Sequence, residues 1–441
     1  FKARRPDNYH IKPKGNYQMR LQLARHPITE LRWGDFTRLD GTTLEIDQDE
    51  LRGIIQGDQR IESVDLQLVR PGENCRAGPV LDIIEPRAKE PDASPDFPGV
   101  LSSPAIAGSG TSHVLEGTAV TVLDGTPPKG PIRSVLEMSG PASEHSPYSS
   151  LQHVVVTPHA QPDLAGHAAL NATQTAGLKA AVYLAQAGFG QTPAMTETFR
   201  PVGPNEPGHE GLPRVAYVGQ IFSRQQTAEV DEQVLYGLNT NGMLPVLMHP
   251  NEWLDGALVA SYRTSVGGAE TYFYQNHPII TELYRRHDAG ELNFVGTVAT
   301  ISGLDNEDRD RGTQIAAHLT KWSLNADAAV LTKYGGGVPH ADMAETARLL
   351  ENTGVRTSVM VSDMSRDRRV ESALLFNFPE VDAIVYCGGN DTSWVVPPVE
   401  RVIAGNPDAA ETLSVSHTIG ASAVVGVVNS QGATHLRSVI Y

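Results

Sequence analysis

Short apolar segments and polar breaks follow two different rhythms along the chain. In residues 19–150, β-prone segments such as 61–69 and 113–123 are separated by Gly and Pro, and this pattern predicts a β-rich N-terminal domain. In residues 151–404, continuous apolar segments alternate with helical ones, which is typical of a parallel sheet covered by helices on both faces. We therefore predict an α/β fold, with extensions at residues 1–18 and 405–441.

The predicted α/β region begins with a strand at residues 153–157 and a helix at 163–187. The other predicted strands cover residues 214–220, 244–248, 293–300, 328–333, 357–361 and 383–387, and two more helices cover 308–325 and 341–352. Ligands of parallel sheets bind beyond the carboxyl ends of the strands. Residues 85–107, rich in Pro, Gly and charged residues, predict a long loop that is able to reach over such a site.

Composition narrows the class of protein. Of the 441 residues, 40% are hydrophobic and 20% are charged, and no apolar run approaches the roughly 20 residues that cross a bilayer. The formal net charge is −16 and the basic residues are scattered, which argues against nucleic-acid binding. Cys75 and Cys387 lack the spacing of a zinc or redox motif, and the first residues, FKARRPDNYH, do not resemble a secretory leader. We expect a soluble, cytoplasmic protein that binds neither membranes nor nucleic acids.

A glycine-rich turn follows the predicted strand 328–333 and leads directly into a helix. Its backbone N–H groups are able to approach an anion at the helix start, so we predict substrate binding by Gly335, Gly336 and Gly337. His340 and Asp342 stand at the same opening and are candidate catalytic residues. The alternative is a plain strand-to-helix turn in which Asp342 caps the helix.

A second polar cluster follows the predicted strand 244–248. Its members are His249, Asn251, Glu252 and Asp255. Asn251 is a candidate for binding substrate, and the other three are candidates for moving protons. If a divalent metal is bound, we predict His249, Glu252 and His340 as its ligands. The alternative is a helix that starts near residue 250 and is capped by these polar side chains.

Two further loops carry candidate binding residues. Cys387 ends the predicted strand 383–387 and precedes two glycines and Asn390, although a buried structural cysteine is the alternative there. The glycine-rich loop 108–113 offers His113. None of these loops matches a nucleophile elbow, a P-loop, a dinucleotide fingerprint or a zinc-protease helix, so spacing alone does not name a reaction.

A series of longer stretches carries a resemblance to known proteins. They are GENCRAGPV at 72–80, DIIEPR at 82–87, FPGV at 97–100, GSGTSHVL at 108–115, MSGP at 138–141, LPVLMHPNEWLDGA at 244–257, QNHPI at 275–279, ELNFVG at 291–296, and GGN at 388–390 followed by two prolines at 397–398. In this order they resemble the precursor subunit of protein B of the glycine, sarcosine and betaine reductases and, more distantly, the D-proline reductase proprotein. The likeness spans residues 19–404.

The resemblance implies a precursor that cleaves itself at an internal cysteine and leaves a pyruvoyl group. The carbonyl of that group forms a Schiff base with the substrate amine, and a second subunit attacks with a selenocysteine or cysteine. The cleavage cysteine should fall in residues 260–268, which here read ASYRTSVGG and contain no cysteine. Ser261 and Ser265 are the candidates to replace it, and we do not expect a pyruvoyl group.

Three functions are compatible with these observations. In the first, an enzyme without the carbonyl cofactor cleaves a C–N bond of a small nitrogen-containing substrate, with or without a metal that activates water. Its candidate catalytic residues are His249, Glu252, Asp255, His340 and Asp342. In the second, the chain binds the substrate and a separate thiol- or selenol-bearing subunit performs the reduction. In the third, the chain is a non-catalytic subunit of a related complex. Separately from these alternatives, we expect an oligomer and a second subunit that resembles the thiol- or selenol-bearing reductase subunit.

Overall fold

The computed structural model describes residues 19–91, 93–126, 132–164, 166–223, 233–262, 268–363, 380–389, 392–429, 431, 436 and 439–440. The strands of the N-terminal half are β1 (Leu21–Pro27), β2 (Glu30–Gly34), β3 (Arg38–Asp40), β4 (Thr43–Asp47), β5 (Ile61–Val69), β6 (Cys75–Gly78), β7 (Val80–Ile84), β8 (Arg87–Lys89), β9 (Gly110–Glu116), β10 (Thr118–Leu123), β11 (Leu136–Glu137), β12 (Gln152–Ala160) and β13 (Met195–Phe199). The helices of this half are α1 (Gln48–Gln56) and α2 (His167–Ala185).

The C-terminal half alternates strands and helices. Its strands are β14 (Arg214–Ser223), β15 (Val246–Met248), β16 (Asn293–Ser302), β17 (Ala328–Thr332), β18 (Arg356–Asp363), β19 (Ala383–Gly389), β20 (Ser393–Val396), β21 (Arg401–Ala404), β22 (His417–Gly420) and β23 (Val439–Ile440). Its helices are α3 (Pro250–Leu254), α4 (Thr271–Gln275), α5 (Pro278–Asp288), α6 (Asn306–His318), α7 (Val338–Asn352) and α8 (Pro407–Ser414).

A seven-stranded sheet in the order β15-β16-β14-β17-β18-β19-β23 forms the centre of the C-terminal half. Its five middle strands are parallel, which confirms the predicted α/β class, while β15 and β23 are antiparallel edge strands. The strand order reverses between β14 and β17, and ligands of such sheets bind at this kind of switch point, outside the carboxyl ends of the strands. The predicted strand 244–248 corresponds to β15, which is an antiparallel edge strand of this sheet. The sequence did not reveal its direction because the strand has only three residues.

The predicted strand 153–157 lies in a different sheet from the one we expected. It is β12, which pairs in parallel with β10 and antiparallel with β5 in a four-stranded sheet that also contains β7. Helix α2 packs against this sheet through Ala176, Ala180 and Leu184. Assigning β12 to the larger sheet was wrong because a fully apolar strand followed by a helix is equally compatible with both sheets.

A strand pair joins the two halves of the chain, since β21 pairs in parallel with β6. Within the N-terminal half, β13 pairs with β1 in the sheet β13-β1-β9-β8. The predicted loop 85–107 contains a short strand, β8, which pairs with β9. The domain boundaries at residues 150 and 404 stay predictions. None of the described helices has the length and apolar character that crossing a membrane requires.

Candidate functional site

His249 and Glu252 cap the start of α3. The N–H of Asn251 lies 3.2 Å from Nδ1 of His249, and the N–H of Val202 lies 3.1 Å from Nε2. Glu252 accepts the His249 backbone N–H at 2.6 Å and the Tyr236 hydroxyl at 2.5 Å. A neutral imidazole accepts at one ring nitrogen, so one of the two histidine contacts is a hydrogen bond and the other a close approach. Burial lowers the pKa of His249 to about 4, and both ring nitrogens contact backbone N–H groups.

Asn251 joins α3 to the N-terminal half of the chain. Its amide nitrogen donates to the carbonyl oxygen of Met19 at 2.8 Å and approaches those of Gly108 and Phe199, each at 3.3 Å. The Tyr284 hydroxyl donates to its oxygen at 2.5 Å. All the polar atoms of this side chain therefore bind protein groups, which is the pattern of a buried structural amide.

Asp255 is the centre of a buried ionic network. Lys89 Nζ lies 2.5 Å from one carboxylate oxygen, which also accepts the backbone N–H of Gly108 at 2.6 Å. The hydroxyl of Ser112 donates to the other oxygen at 3.1 Å. Both charges are buried and compensated, so this network fastens the loop 108–112 to the end of α3.

His340 and Asp342 lie in the first turns of α7 but face different partners. Asp342 accepts the Ser302 hydroxyl at 2.5 Å and Arg309 Nε at 2.8 Å, and burial raises its pKa. His340 is fully buried, and its pKa is lowered to about 4 by burial and by the charge of Lys333. Because α7 begins at residue 338, Asp342 lies beyond the capping position, and the alternative role of Asp342 as a helix cap is not observed.

The glycine-rich turn before α7 has the backbone conformation that its sequence predicts. Gly335 and Gly337 have φ values of 79° and 72°, which favour glycine. The carbonyl oxygen of Gly335 accepts Lys333 Nζ at 2.6 Å. Substrate binding at Gly335, Gly336 and Gly337 stays a prediction.

The remaining predicted residues lie in separate surroundings. His113 contacts His26 at 2.9 Å, between ring nitrogens, and Glu90 at 3.2 Å. Ser261 is buried, and Asn390 and Ser265 lie outside the described residues. In the described part of the chain, no group of three or more His, Cys, Asp or Glu side chains is placed to hold a metal ion, so the predicted set of His249, Glu252 and His340 is not assembled.

Two fully buried carboxyl groups, Asp82 and Glu270, form a site that we did not predict. Asp82 lies on β7 and accepts the backbone N–H of Thr271 at 2.9 Å, the hydroxyl of Thr271 at 2.7 Å and the hydroxyl of Tyr262 at 3.2 Å. The Thr271 hydroxyl in turn accepts the N–H of Ala260 at 3.0 Å. Asp82 thus contacts Tyr262, inside the segment 260–268 that the resemblance assigns to cofactor formation, and Thr271, which lies three residues beyond that segment.

Glu270 is the less satisfied of the two acids. It lies just before α4 and is 1% exposed, near Tyr148 and the backbone of Gly268. Neither of its carboxylate oxygens has a hydrogen bond of ordinary geometry to a described residue. Burial, with a further contribution from the charge of Asp82, raises the pKa of Glu270 to about 7. Burial also raises the pKa of Asp82 to about 7, against the opposing effect of its hydrogen bonds.

Tyrosines surround the two acids. Tyr148, Tyr262 and Tyr274 are buried, and the nearby carboxyl groups contribute to the raised pKa of each hydroxyl. We call Asp82, Glu270 and these three residues the acid–tyrosine cluster. Tyr274 donates to the carbonyl oxygen of Ile221, near the carboxyl end of β14, at 3.3 Å. The cluster therefore lies beside the carboxyl edge of the parallel sheet, where a ligand site is expected.

A cationic nitrogen fits the chemistry of this cluster. A buried carboxylate without a counter-charge is costly, and an ammonium group supplies both the charge and hydrogen-bond donors. The faces of tyrosine rings attract cations as well, including methylated ammonium groups that have no N–H. The sequence contained one sign of the site, since Asp82 is the single polar residue of the apolar strand VLDII.

The stretches that carried the resemblance meet around these two buried networks. Asp82 and Arg87 belong to one stretch, and Arg87 donates to Glu85 at 2.7 Å and to the carbonyl oxygen of Leu254 at 2.7 Å. Gln275, from another stretch, accepts the N–H of Glu85 at 2.9 Å and donates to its carbonyl oxygen at 3.1 Å. Segments far apart in sequence thus build one buried region.

Comparison with known proteins agrees with this assembly of segments. The family model described as "Glycine/sarcosine/betaine reductase component B subunits" matches residues 19–432, and the chain belongs to this family. It is 28% identical over 437 residues, which are 96% of this chain and 100% of the relative, to glycine reductase complex component B subunits alpha and beta of Acetoanaerobium sticklandii. The likeness to sarcosine reductase complex component B subunit alpha of Peptoclostridium acidaminophilum is 30% over 399 residues, 90% of this chain and 91% of the relative.

A third relative, betaine reductase complex component B subunit alpha of Peptoclostridium acidaminophilum, is 29% identical over 392 residues, 87% of this chain and 88% of the relative. No solved structure matches the chain. The relatives are components of multi-component reductase complexes, so the chain is a reductase-type component whose family implies partner subunits.

Proposed function

We propose that this chain is the substrate-binding subunit of a two-component reductase-type system that cleaves a C–N bond of a small ammonium compound. In this proposal the acid–tyrosine cluster binds the cationic nitrogen of the substrate, and a thiol- or selenol-bearing partner subunit supplies the reducing equivalents. The observation that carries the proposal is the carboxyl group of Glu270, which is buried beside the segment 260–268 without a basic partner or a hydrogen bond of ordinary geometry among the described residues.

The roles of the two acids differ. Three donors already bind Asp82, which therefore holds the segment in place. The carboxyl group of Glu270 has only the nearby Tyr148 hydroxyl and backbone N–H groups as donors, and neither of its oxygens has a hydrogen bond of ordinary geometry to a described residue. An ammonium at Glu270 would gain a charge-assisted hydrogen bond in a region from which water is excluded. Tyr148 and Tyr274 would line the remaining sides.

The pyruvoyl group of the family requires a residue from which it forms. The two cysteines of the chain lie on β6 and β19, outside residues 260–268, so a serine would have to serve. Ser261 is buried close to Asp82 through its neighbours Ala260 and Tyr262, while Ser265 lies outside the described residues. We expect the purified chain to show one full-length mass under denaturing conditions; two fragments that divide within residues 260–268 would instead establish self-processing at a serine.

Ligand titration tests the proposal. The relatives are named for glycine, sarcosine and betaine, and each of these compounds carries a cationic nitrogen. We expect the purified chain to bind at least one of them by isothermal titration calorimetry and Glu270→Gln to lose at least about tenfold in affinity, because a hydrogen bond to a charged group contributes about 1.5–3 kcal/mol.

Glu62→Gln is the matched control, since Glu62 is exposed on β5, and its affinity should equal that of the unaltered chain. Equal affinities of all three proteins would refute the assignment of Glu270. Product release by the chain alone, without a partner subunit, would refute the two-component part of the proposal.

A further inference from the structure

Lys333 is a buried lysine at the carboxyl end of β17. It follows the last residue of the strand, is 0% exposed, and donates from Nζ to the carbonyl oxygen of Gly335 at 2.6 Å. The strand lies at the switch point between β14 and β17, where ligands of parallel sheets bind. Gly335, whose carbonyl oxygen accepts this hydrogen bond, and the next residue, Gly336, are both partly exposed.

The surroundings of Lys333 differ from those of the buried Lys89, which pairs with the carboxylate of Asp255. Among the described residues, the one ionisable group whose negative charge would favour the Lys333 cation is the thiol of Cys387. Burial raises the pKa of that thiol to about 12, so it is neutral near pH 7. An ammonium that lacks an anionic partner in a protein interior tends to lose its proton.

A neutral lysine is a nucleophile, and a base stands beside it. Burial lowers the pKa of Lys333 to about 8, so a substantial fraction of the amine is uncharged near neutral pH. His340 in α7 is close enough for the lysine charge to lower its own pKa, and its imidazole is neutral. An uncharged amine is the nucleophile that imine formation requires, and a neutral imidazole near it is able to transfer protons.

We propose that Lys333 forms an imine with a small aldehyde or α-keto acid at the carboxyl end of β17. The nitrogen lone pair attacks the carbonyl carbon, His340 relays protons from nitrogen to the carbonyl oxygen, and that oxygen leaves as water while the C=N bond forms. No electrons are gained or lost. This is the reverse of the Schiff base that the family resemblance implies, because here the protein supplies the amine and the ligand supplies the carbonyl.

Reductive trapping tests the proposal. The full-length chain is incubated with glyoxylate and sodium cyanoborohydride, which converts an imine into a stable carboxymethyl-lysine, and the labelled residues are located by peptide mass spectrometry. We expect Lys333 to be labelled at least about tenfold faster than Lys179 and Lys321, because an ordinary lysine with a pKa near 10.4 is almost fully protonated at pH 7.5.

Two controls make either result decisive. Unfolding the chain in urea should abolish the preference for Lys333, and Lys333→Met should remove the fast label while Cys387→Ala retains it. If the Met variant does not fold, the comparison of native and unfolded protein still decides. Labelling of Lys333 at or below the rate of Lys179 would overturn the proposal, and it would leave the binding test at Glu270 unaffected.

Discussion

Two buried networks lie side by side in this protein, and they differ in whether their buried carboxyl groups are paired with basic side chains. In the network around Asp255 and Arg87, two buried acids are each paired with a base: Lys89 pairs with Asp255, and Arg87 pairs with Glu85. In the acid–tyrosine cluster, Asp82 and Glu270 are fully buried, their pKa values are raised to about 7, and the described residues around them are hydroxyls and backbone groups.

The difference separates a structural role from a binding role. A compensated buried ion pair fixes the positions of segments, and removing one partner leaves an uncompensated charge. An uncompensated acid lowers the stability of the ligand-free protein and is retained where a cationic ligand restores the balance. We therefore propose that the network around Asp255 and Arg87 has a structural role and that the acid–tyrosine cluster binds the ligand.

Breaking the compensated network should give the largest effect on stability. Asp255→Asn keeps the shape of the side chain but leaves Lys89 without its carboxylate, and we expect the free energy of unfolding to fall by about 3–5 kcal/mol. Urea denaturation checks this value. A loss below about 1 kcal/mol would mean that the network around Asp255 is not a structural one.

Removing the uncompensated acid, Glu270, should raise the free energy of unfolding instead of lowering it. Because the pKa of Glu270 is about 7 in the folded chain and near 4.5 in the unfolded chain, the folded state binds more protons between these values. The contribution of this group to stability is therefore fully present below pH 4.5, is lost as pH rises from 4.5 to about 7, and does not change further above that range. Glu270→Gln removes this decrease and should raise the free energy of unfolding at pH 8 by about 2 kcal/mol.

Denaturation at pH 5 and pH 8 measures that effect, with Glu62→Gln as the exposed control. Asp82 keeps its own share of the pH dependence, so the slope should become smaller in Glu270→Gln without vanishing. A destabilised Glu270→Gln would place this residue with the compensated acids.

The smallest expected effect concerns the polar residues that the sequence placed in a catalytic cluster. His249→Ala removes the cap of α3 and should cost about 1 kcal/mol of stability, whereas His249→Asn, which retains a capping side chain, should cost less. Ligand affinity should be unchanged in both variants. If either variant lost ligand affinity while its stability was unchanged, His249 would have a role in ligand binding and the assignment of a purely capping role would be wrong.

The parallel sheet could be predicted because continuous apolar strands and helices with regular apolar spacing are recognisable in the local sequence. The sequence misplaced β12, since the partners of a strand are not encoded in its own pattern. It also assigned chemical roles to His249 and Glu252, which have capping roles here, because the residue types that cap helices are the ones that transfer protons and bind metals.

The acid–tyrosine cluster could not be predicted from local sequence patterns, because its residues come together only in the folded chain. Asp82 and Thr271 are 189 positions apart, and only folding places the carboxylate against the segment 260–271. The apolar neighbours of Asp82 in β7 marked it as a buried acid, but nothing near Glu270 in the sequence predicts that it is buried without a basic partner among the described residues. The resemblance selected the correct segments without indicating which side chains meet.

Ligand-induced stabilisation of Glu270→Gln tests the central claim most directly. Denaturation midpoints are measured at pH 8 for the unaltered chain and the variant, each with and without saturating glycine, sarcosine or betaine. We predict that one of these compounds raises the midpoint of the unaltered chain, and that the variant is more stable without ligand and does not respond to it. An equal ligand response in both proteins, or a variant that is less stable without ligand, would contradict the assignment of Glu270 as the ammonium-binding residue.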